Sequence, residues 1–187
     1  MMRGDPGTDI RLTVVGAGDG APREVTLSRE IIRTDSVKSD VLEPGYGYLR
    51  ISQFQSRTGE QVEDALAELR DEGAQSGIVL DLRNNGGGAL QEANSLIGLF
   101  IDRGPTVQVR DAQGRIQLYG DTEAGTVYDG PLTVLVNRLS ASASEIFAGA
   151  IQDYGRGIVV GASTFGKGTV QTLNELSHGQ IKLTRAK

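Results

Sequence analysis

The sequence predicts an α/β fold with a largely parallel central sheet. Three short runs dominated by apolar residues, Ile78-Val-Leu80, Leu132-Thr-Val-Leu-Val136 and Gly157-Ile-Val-Val160, read as strands buried on both faces. Segments of helical period separate them, the arrangement of an α/β fold with parallel strands. Before the first run the pattern alternates with period two, so β structure precedes the α/β part.

Ile10, Leu12 and Val14 alternate with polar neighbours. Gly16-Ala-Gly-Asp-Gly20 then supplies a turn, and Val25-Thr-Leu27 resumes the alternation through Ile31 and Ile32, which predicts a hairpin. A short strand around Val37 to Val41, a turn at Pro44-Gly45 and a strand over Tyr46 to Phe54 follow. Thr58-Gly-Glu-Gln61 has capping-box spacing. Val62, Ala65, Leu66 and Leu69 fall at i, i+3, i+4 and i+7, and Gly73 ends the helix. After the first apolar run come a glycine-rich loop and a second helix, marked by Leu90, Ala93, Ile97 and Ile101. A hairpin over Val107 to Tyr119 turns at Gln113-Gly114. The second apolar run leads into a helix from about Ser142 to Tyr154, ended by Gly155. Alternating segments at Thr169 to Leu173 and Gln180 to Thr184 follow the third run.

Composition narrows the chemistry. The 187 residues hold no Cys and a single His, His178, which removes thiolate metal sites, Cys nucleophiles and a histidine metal cage. Lys and Arg number 19 against 24 Asp and Glu, for a net charge of −5. That balance disfavours nucleic acid and anionic membranes as partners. No apolar run is long enough to span a bilayer, and the opening residues, MMRGDPGTD, carry no signal-peptide pattern.

Three motifs fail on context. Gly16 to Ala21 matches G-x-G-x-x-A after a strand, but Pro22 and an alternating stretch follow where a dinucleotide site needs a helix. Gly161-x-x-x-x-Gly166-Lys167 is a P-loop but for Gly168, which stands where Mg²⁺ binding needs Ser or Thr. His178 lies between two alternating segments, a solvent-exposed turn rather than a site for a tuned base.

Three segments remain. Asn137-Arg-Leu-Ser-Ala-Ser-Ala-Ser-Glu145 joins a buried strand to a helix. A Ser there is either a plain helix cap or a nucleophile, beside free N–H groups that can hold an oxyanion. Thr164-Phe-Gly-Lys-Gly-Thr-Val-Gln171 offers Lys167. That residue is either a solvated lysine or, with His178 set aside, a base that works when burial disfavours its charged form. In an extended segment Lys167, Thr169 and Gln171 share one side, so Gln171 is placed to orient the amine. Asp81-Leu-Arg-Asn-Asn-Gly-Gly-Gly88 ends the first buried strand, where open sheets gather their sites. It is a flexible loop or a backbone cradle for substrate.

DLRNNGGG, NRLSASASEIFAGAIQDYGR and VVGASTFGKGTVQ resemble the signature blocks of carboxyl-terminal processing (tail-specific) proteases, a likeness that runs from about residue 35 to the end. The resemblance implies a crotonase/Clp-protease-like ββα core at 35–187, truncated at its C-terminus, preceded at 1–34 by the C-terminal remnant of a PDZ domain. It implies a Ser-Lys dyad with Ser142 as nucleophile, Lys167 as base and Gln171 assisting. The oxyanion hole falls to the N–H of Ala143 and of Gly87 or Gly88. Asp153 matches an aspartate implicated in some members, and a structural role is expected for it. Many relatives have Pro where Gly86 stands. The expected activity is endopeptidase cleavage near protein C-termini, with no metal or other cofactor and with proteins or peptides of accessible C-terminus as partners. Relatives act in the periplasm or thylakoid lumen, so an exported parent is implied. The alternatives are a non-cleaving peptide- or ligand-binding module of the same fold, an inactive fragment, or a crotonase-like acyl-CoA enzyme.

Overall fold

Period-two alternation builds the first unit, Met1–Thr34. Strands β1 (Asp9–Val14) and β2 (Arg23–Ser28) pair antiparallel, with Ile10 opposite Leu27 and Leu12 opposite Val25. The G-x-G-x-x-A segment lies in the connection between them, and no helix follows it. This computed structural model describes every residue except 1, 3, 19, 32, 33, 44 and 122–124, and only the backbone of Asp121. Asp19, Ile32 and Pro44, assigned above to turns and a strand, lie outside the described residues.

The second unit, Asp35–Lys187, carries a five-stranded mixed sheet. Strand β3 (Val37–Glu43) pairs antiparallel with β4 (Tyr46–Ile51). The next three run parallel, β4 to β5 (Gly77–Asp81), β5 to β8 (Leu132–Val136) and β8 to β9 (Ile158–Gly161). The three apolar runs are therefore parallel strands of one sheet, as the sequence predicts, and they lie next to one another. Helices α1 (Thr58–Asp71), α2 (Leu90–Gly98) and α3 (Ala143–Asp153) make the intervening connections. Leu49, Leu80 and Val134 of the sheet are buried with Val62 and Leu66 of α1 and Phe147 and Ile151 of α3. Phe100 closes this core edge-on to Phe147, ring centres 5.7 Å apart. Two hairpins stand apart from the sheet, β6 (Gly104–Arg110) with β7 (Ile116–Asp121) and β10 (Val170–Glu175) with β11 (Gln180–Ala186). Paired backbone bonds between Arg110 and Lys187, 2.7 and 3.0 Å, join the two hairpins.

Three local expectations change. Thr58 is the first helical residue of α1 rather than its cap. Its hydroxyl donates to the Gln55 carbonyl (2.8 Å), while Gln61 Oε1 accepts from Ser36 N–H (3.1 Å). The cap comes from α2 instead, because Glu92 accepts from the N–H groups of Arg57 (3.1 Å) and Gly59 (3.2 Å). Strand β4 stops at Ile51, and Phe54 forms a lone bridge with Gly88. Residues 164 to 169 belong to no strand, and β10 begins only at Val170, with a bulge before Gln171.

Candidate active site

Parallel strands β5 and β8 end side by side, so the loops that follow them meet. Asp81, the last residue of β5, is fully buried. Its carboxylate accepts from the Tyr48 hydroxyl (2.7 Å), Arg83 Nη2 (2.7 Å), Arg50 Nη1 (3.2 Å) and the Arg83 N–H (2.8 Å). Burial pushes this carboxyl up, but the hydrogen bonds from Arg83 and Tyr48 and the Arg83 charge outweigh it and hold the pKa at about 2.

The serine-rich block is sorted by its hydrogen bonds. Ser140 and Ser144 are fully buried, and their hydroxyls donate to the carbonyls of Leu82 (2.8 Å) and Asn85 (2.9 Å). Both therefore tie the start of α3 to the loop after β5. Asn85 gathers that loop. Its Nδ2 donates to Ile51 O (2.9 Å), its Oδ1 accepts from Gly87 N–H (2.9 Å) and its carbonyl takes Ala141 N–H (3.0 Å). Ser142, between the two anchored serines, is only half-buried and lines a cleft of about 840 Å³. Its backbone sits at φ 57°, ψ −115°, a region that a residue with a Cβ rarely occupies.

The glycine-rich loop crosses directly under this serine. A Cβ on Gly87 would lie 2.6 Å from Ala141 O and 2.8 Å from Ser142 Cβ, and φ there is 95°. A Cβ on Gly88 would strike the Phe54 carbonyl. Only glycine allows both approaches. Gly86 has open space where its Cβ would be. The Gly87 N–H is taken by Asn85, whereas the N–H groups of Ala143 and Gly88 have no acceptor among the described residues.

Glu145 links the serine to the lysine. Its Oε2 accepts from Ser142 N–H (2.7 Å) and Lys167 N–H (2.9 Å). Its Oε1 accepts from the Thr164 hydroxyl (2.8 Å) and Gly166 N–H (2.7 Å). One carboxylate thus fixes the first turn of α3 against the loop that carries Lys167. Burial raises its pKa, and these four hydrogen bonds prevail, so the group titrates below the ordinary carboxylate value. The sequence shows Glu145 as half of a capping box, and its bond to Ser142 is that half. The reach across to 164–167 has no local signal.

Ser142, Ala143, Gly87, Gly88, Lys167 and Gln171 all line the same cleft. Lys167 is half-buried and Gln171 is exposed at the bulge of β10. No hydrogen bond joins the Ser142 hydroxyl, the Lys167 amine and the Gln171 amide to one another in this structure. Asp153 is exposed at the far end of α3, about 16 Å from Ser142 along the helix, and does not line the cleft. His178 is exposed between β10 and β11, also away from the cleft. Among the described residues no group of three His, Cys, Asp or Glu is arranged to hold a metal ion. No helix among them is long and apolar enough to cross a membrane.

The sequence profile of peptidase family S41 matches residues 45–187. The tail-specific protease of Haemophilus influenzae is 44% identical over 181 residues, covering 94% of this chain and 26% of its own. The carboxyl-terminal-processing protease of a Synechocystis species is 43% identical over 192 residues, covering all of this chain and 44% of its own. Among solved structures, a photosystem II D1 C-terminal processing protease superposes with a TM-score of 0.70 at 35% identity, over 98% of this chain and 51% of that one. A putative S41 protease from Bacteroides fragilis, at 19% identity and a TM-score of 0.68, shares the fold. The chain spans between about a quarter and a half of the length of these relatives.

Proposed function

The chain belongs to peptidase family S41, and from that premise we propose that its parent protein is a serine endopeptidase that cleaves proteins near their C-termini with a Ser142–Lys167 dyad. The observation that carries this reading is the convergence on one cleft of a strained, solvent-reaching serine, two N–H groups without an acceptor among the described residues and a half-buried lysine. Neutral Lys167 takes the Ser142 proton as the hydroxyl attacks the scissile carbonyl. The oxyanion is held by the N–H groups of Ala143 and Gly88, since the Gly87 N–H already serves Asn85. Lys167 then protonates the leaving amine, and later activates the water that releases the acyl group. Gln171 orients the amine. The serine–lysine hydrogen bond forms when substrate fills the cleft, as catalytic bonds commonly tighten in the bound complex.

We read the hairpin unit Met1–Thr34 as the end of a PDZ domain and the parent as an exported protein, on the strength of the family resemblance. Asp153 keeps a structural part only. The test is turnover of a peptide with a free C-terminus by the full-length protein. Ser142→Ala and Lys167→Ala each lower kcat by at least about a thousandfold. Wild-type turnover by either variant overturns the assignment.

A further inference from the structure

The chain carries a net charge of −5, yet its cleft has the opposite sign. The charged residues that line it are Lys167, Lys182 and Lys187, with no Asp, Glu or Arg among the described lining residues. Glu145 lies behind the lining, with its carboxylate engaged by Ser142, Thr164, Gly166 and Lys167. Lys167 is the base of the proposed dyad, which leaves Lys182 and Lys187 as the further lysines lining the cleft. Lys182 is exposed on β11 and forms no ion pair among the described residues. Its place follows from the hairpin register. Gln171 faces Thr184, and Leu173 faces Lys182, so Gln171 and Lys182 are diagonal neighbours on one face of the hairpin. Lys167, Gln171 and Lys182 all line the cleft, and the last two share one face of the hairpin that borders it.

We propose that Lys182 binds a carboxylate of the substrate, so that the cleft selects peptides bearing negative charge near the bond to be cut. The proposal rests on the protease reading above and names the substrate class of that same site. The carboxylate comes either from an acidic side chain or from the chain terminus. In a half-enclosed cleft such a pair contributes mainly to binding, and it weakens as salt screens it.

The experiment uses the full-length protein and a fluorogenic peptide in matched forms. One pair ends in an α-carboxylate or an α-carboxamide. A second set carries Glu or Gln at successive positions on either side of the scissile bond. The expected result is a preference of about threefold to fivefold in kcat/KM for one carboxylate form, residing in KM and shrinking with added salt. A preference in the first pair assigns the terminus, and one in the second set assigns an acidic side chain. Lys182→Gln loses the preference, Lys182→Arg keeps it and Lys182→Glu reverses it. Equal turnover of all forms by the wild-type protein, or an undiminished preference in Lys182→Gln, overturns the proposal. Binding of the labelled peptides to Ser142→Ala reads the charge preference without turnover. Cleavage that persists in Ser142→Ala sinks the protease reading instead, so the two failures are distinct.

Discussion

Ser142 holds a backbone conformation that costs a residue with a Cβ about 1–3 kcal/mol. Ser142→Gly relieves that strain. It should raise the midpoint of thermal unfolding while abolishing peptidase activity, whereas Ser142→Ala abolishes activity with no such gain. The glycines beneath it divide sharply. Gly87→Ala drives a methyl against Ala141 O and Ser142 Cβ, so it should lower both stability and kcat. Gly86→Ala meets no neighbour and should leave stability within about 1 kcal/mol of wild type. At Asp81 the carboxyl titrates at about 2 rather than at its ordinary 3.8. Its stabilisation is complete above the unfolded value and is lost as pH falls through the folded one. Urea titrations of wild type and Asp81→Asn should therefore converge between about pH 4 and pH 2, by roughly 2 kcal/mol. The family resemblance singled out Ser142 in the S-A-S-A-S block, but nothing local in the sequence distinguishes it physically from Ser140 and Ser144. That distinction lies in the carbonyls of Leu82 and Asn85, on a loop more than fifty residues away, which no local pattern encodes.

The element that matters most to the site is the junction of α3 with the loop before β10. Glu145 makes it, through bonds to the Thr164 hydroxyl and three backbone N–H groups. Glu145→Gln keeps the shape but replaces a charged acceptor by a neutral amide that also presents donors. It should destabilise the protein by about 1–3 kcal/mol and lower kcat more than it raises KM, because the two reactive residues lose their common anchor. Its pKa is depressed, so its contribution stands above the unfolded carboxylate value and disappears as pH falls through the folded one. The stability gap between wild type and Glu145→Gln should narrow on acidification through that range. Helix α1 shows the same limit of local reading. Thr58 and Gln61 have the right spacing for a box, but Glu92 of α2 reaches the N-terminus first and frees both side chains for Ser36. Helix positions and apolar faces were legible from period alone, whereas the partner at each end was decided by packing.

At the scale of the whole molecule, a largely parallel central sheet was legible because three apolar runs alternate with helical patterns, although the order of its strands was not read. The meeting of the β6–β7 and β10–β11 hairpins through Arg110 and Lys187 was not, since backbone bonds carry no side-chain signature. That meeting places Val107, Val109 and Lys182 in the lining of one cleft. The sheet itself ends at β9, whose outer edge has no partner among the described residues, with Ile158 67% and Val160 46% exposed. Exposed apolar edges template pairing between chains. The 187-residue chain should self-associate in sedimentation at rising concentration, and Ile158→Lys should suppress it. If the variant associates as strongly as the wild type, the contact lies elsewhere. The Glu145 carboxylate has one more consequence, in the time domain. The amides of Ser142, Gly166 and Lys167 sit on two distant stretches of chain yet lean on one acceptor. In deuterium exchange they should behave as a single opening unit, released together when that side chain swings away, so that nucleophile and base are lost in the same fluctuation.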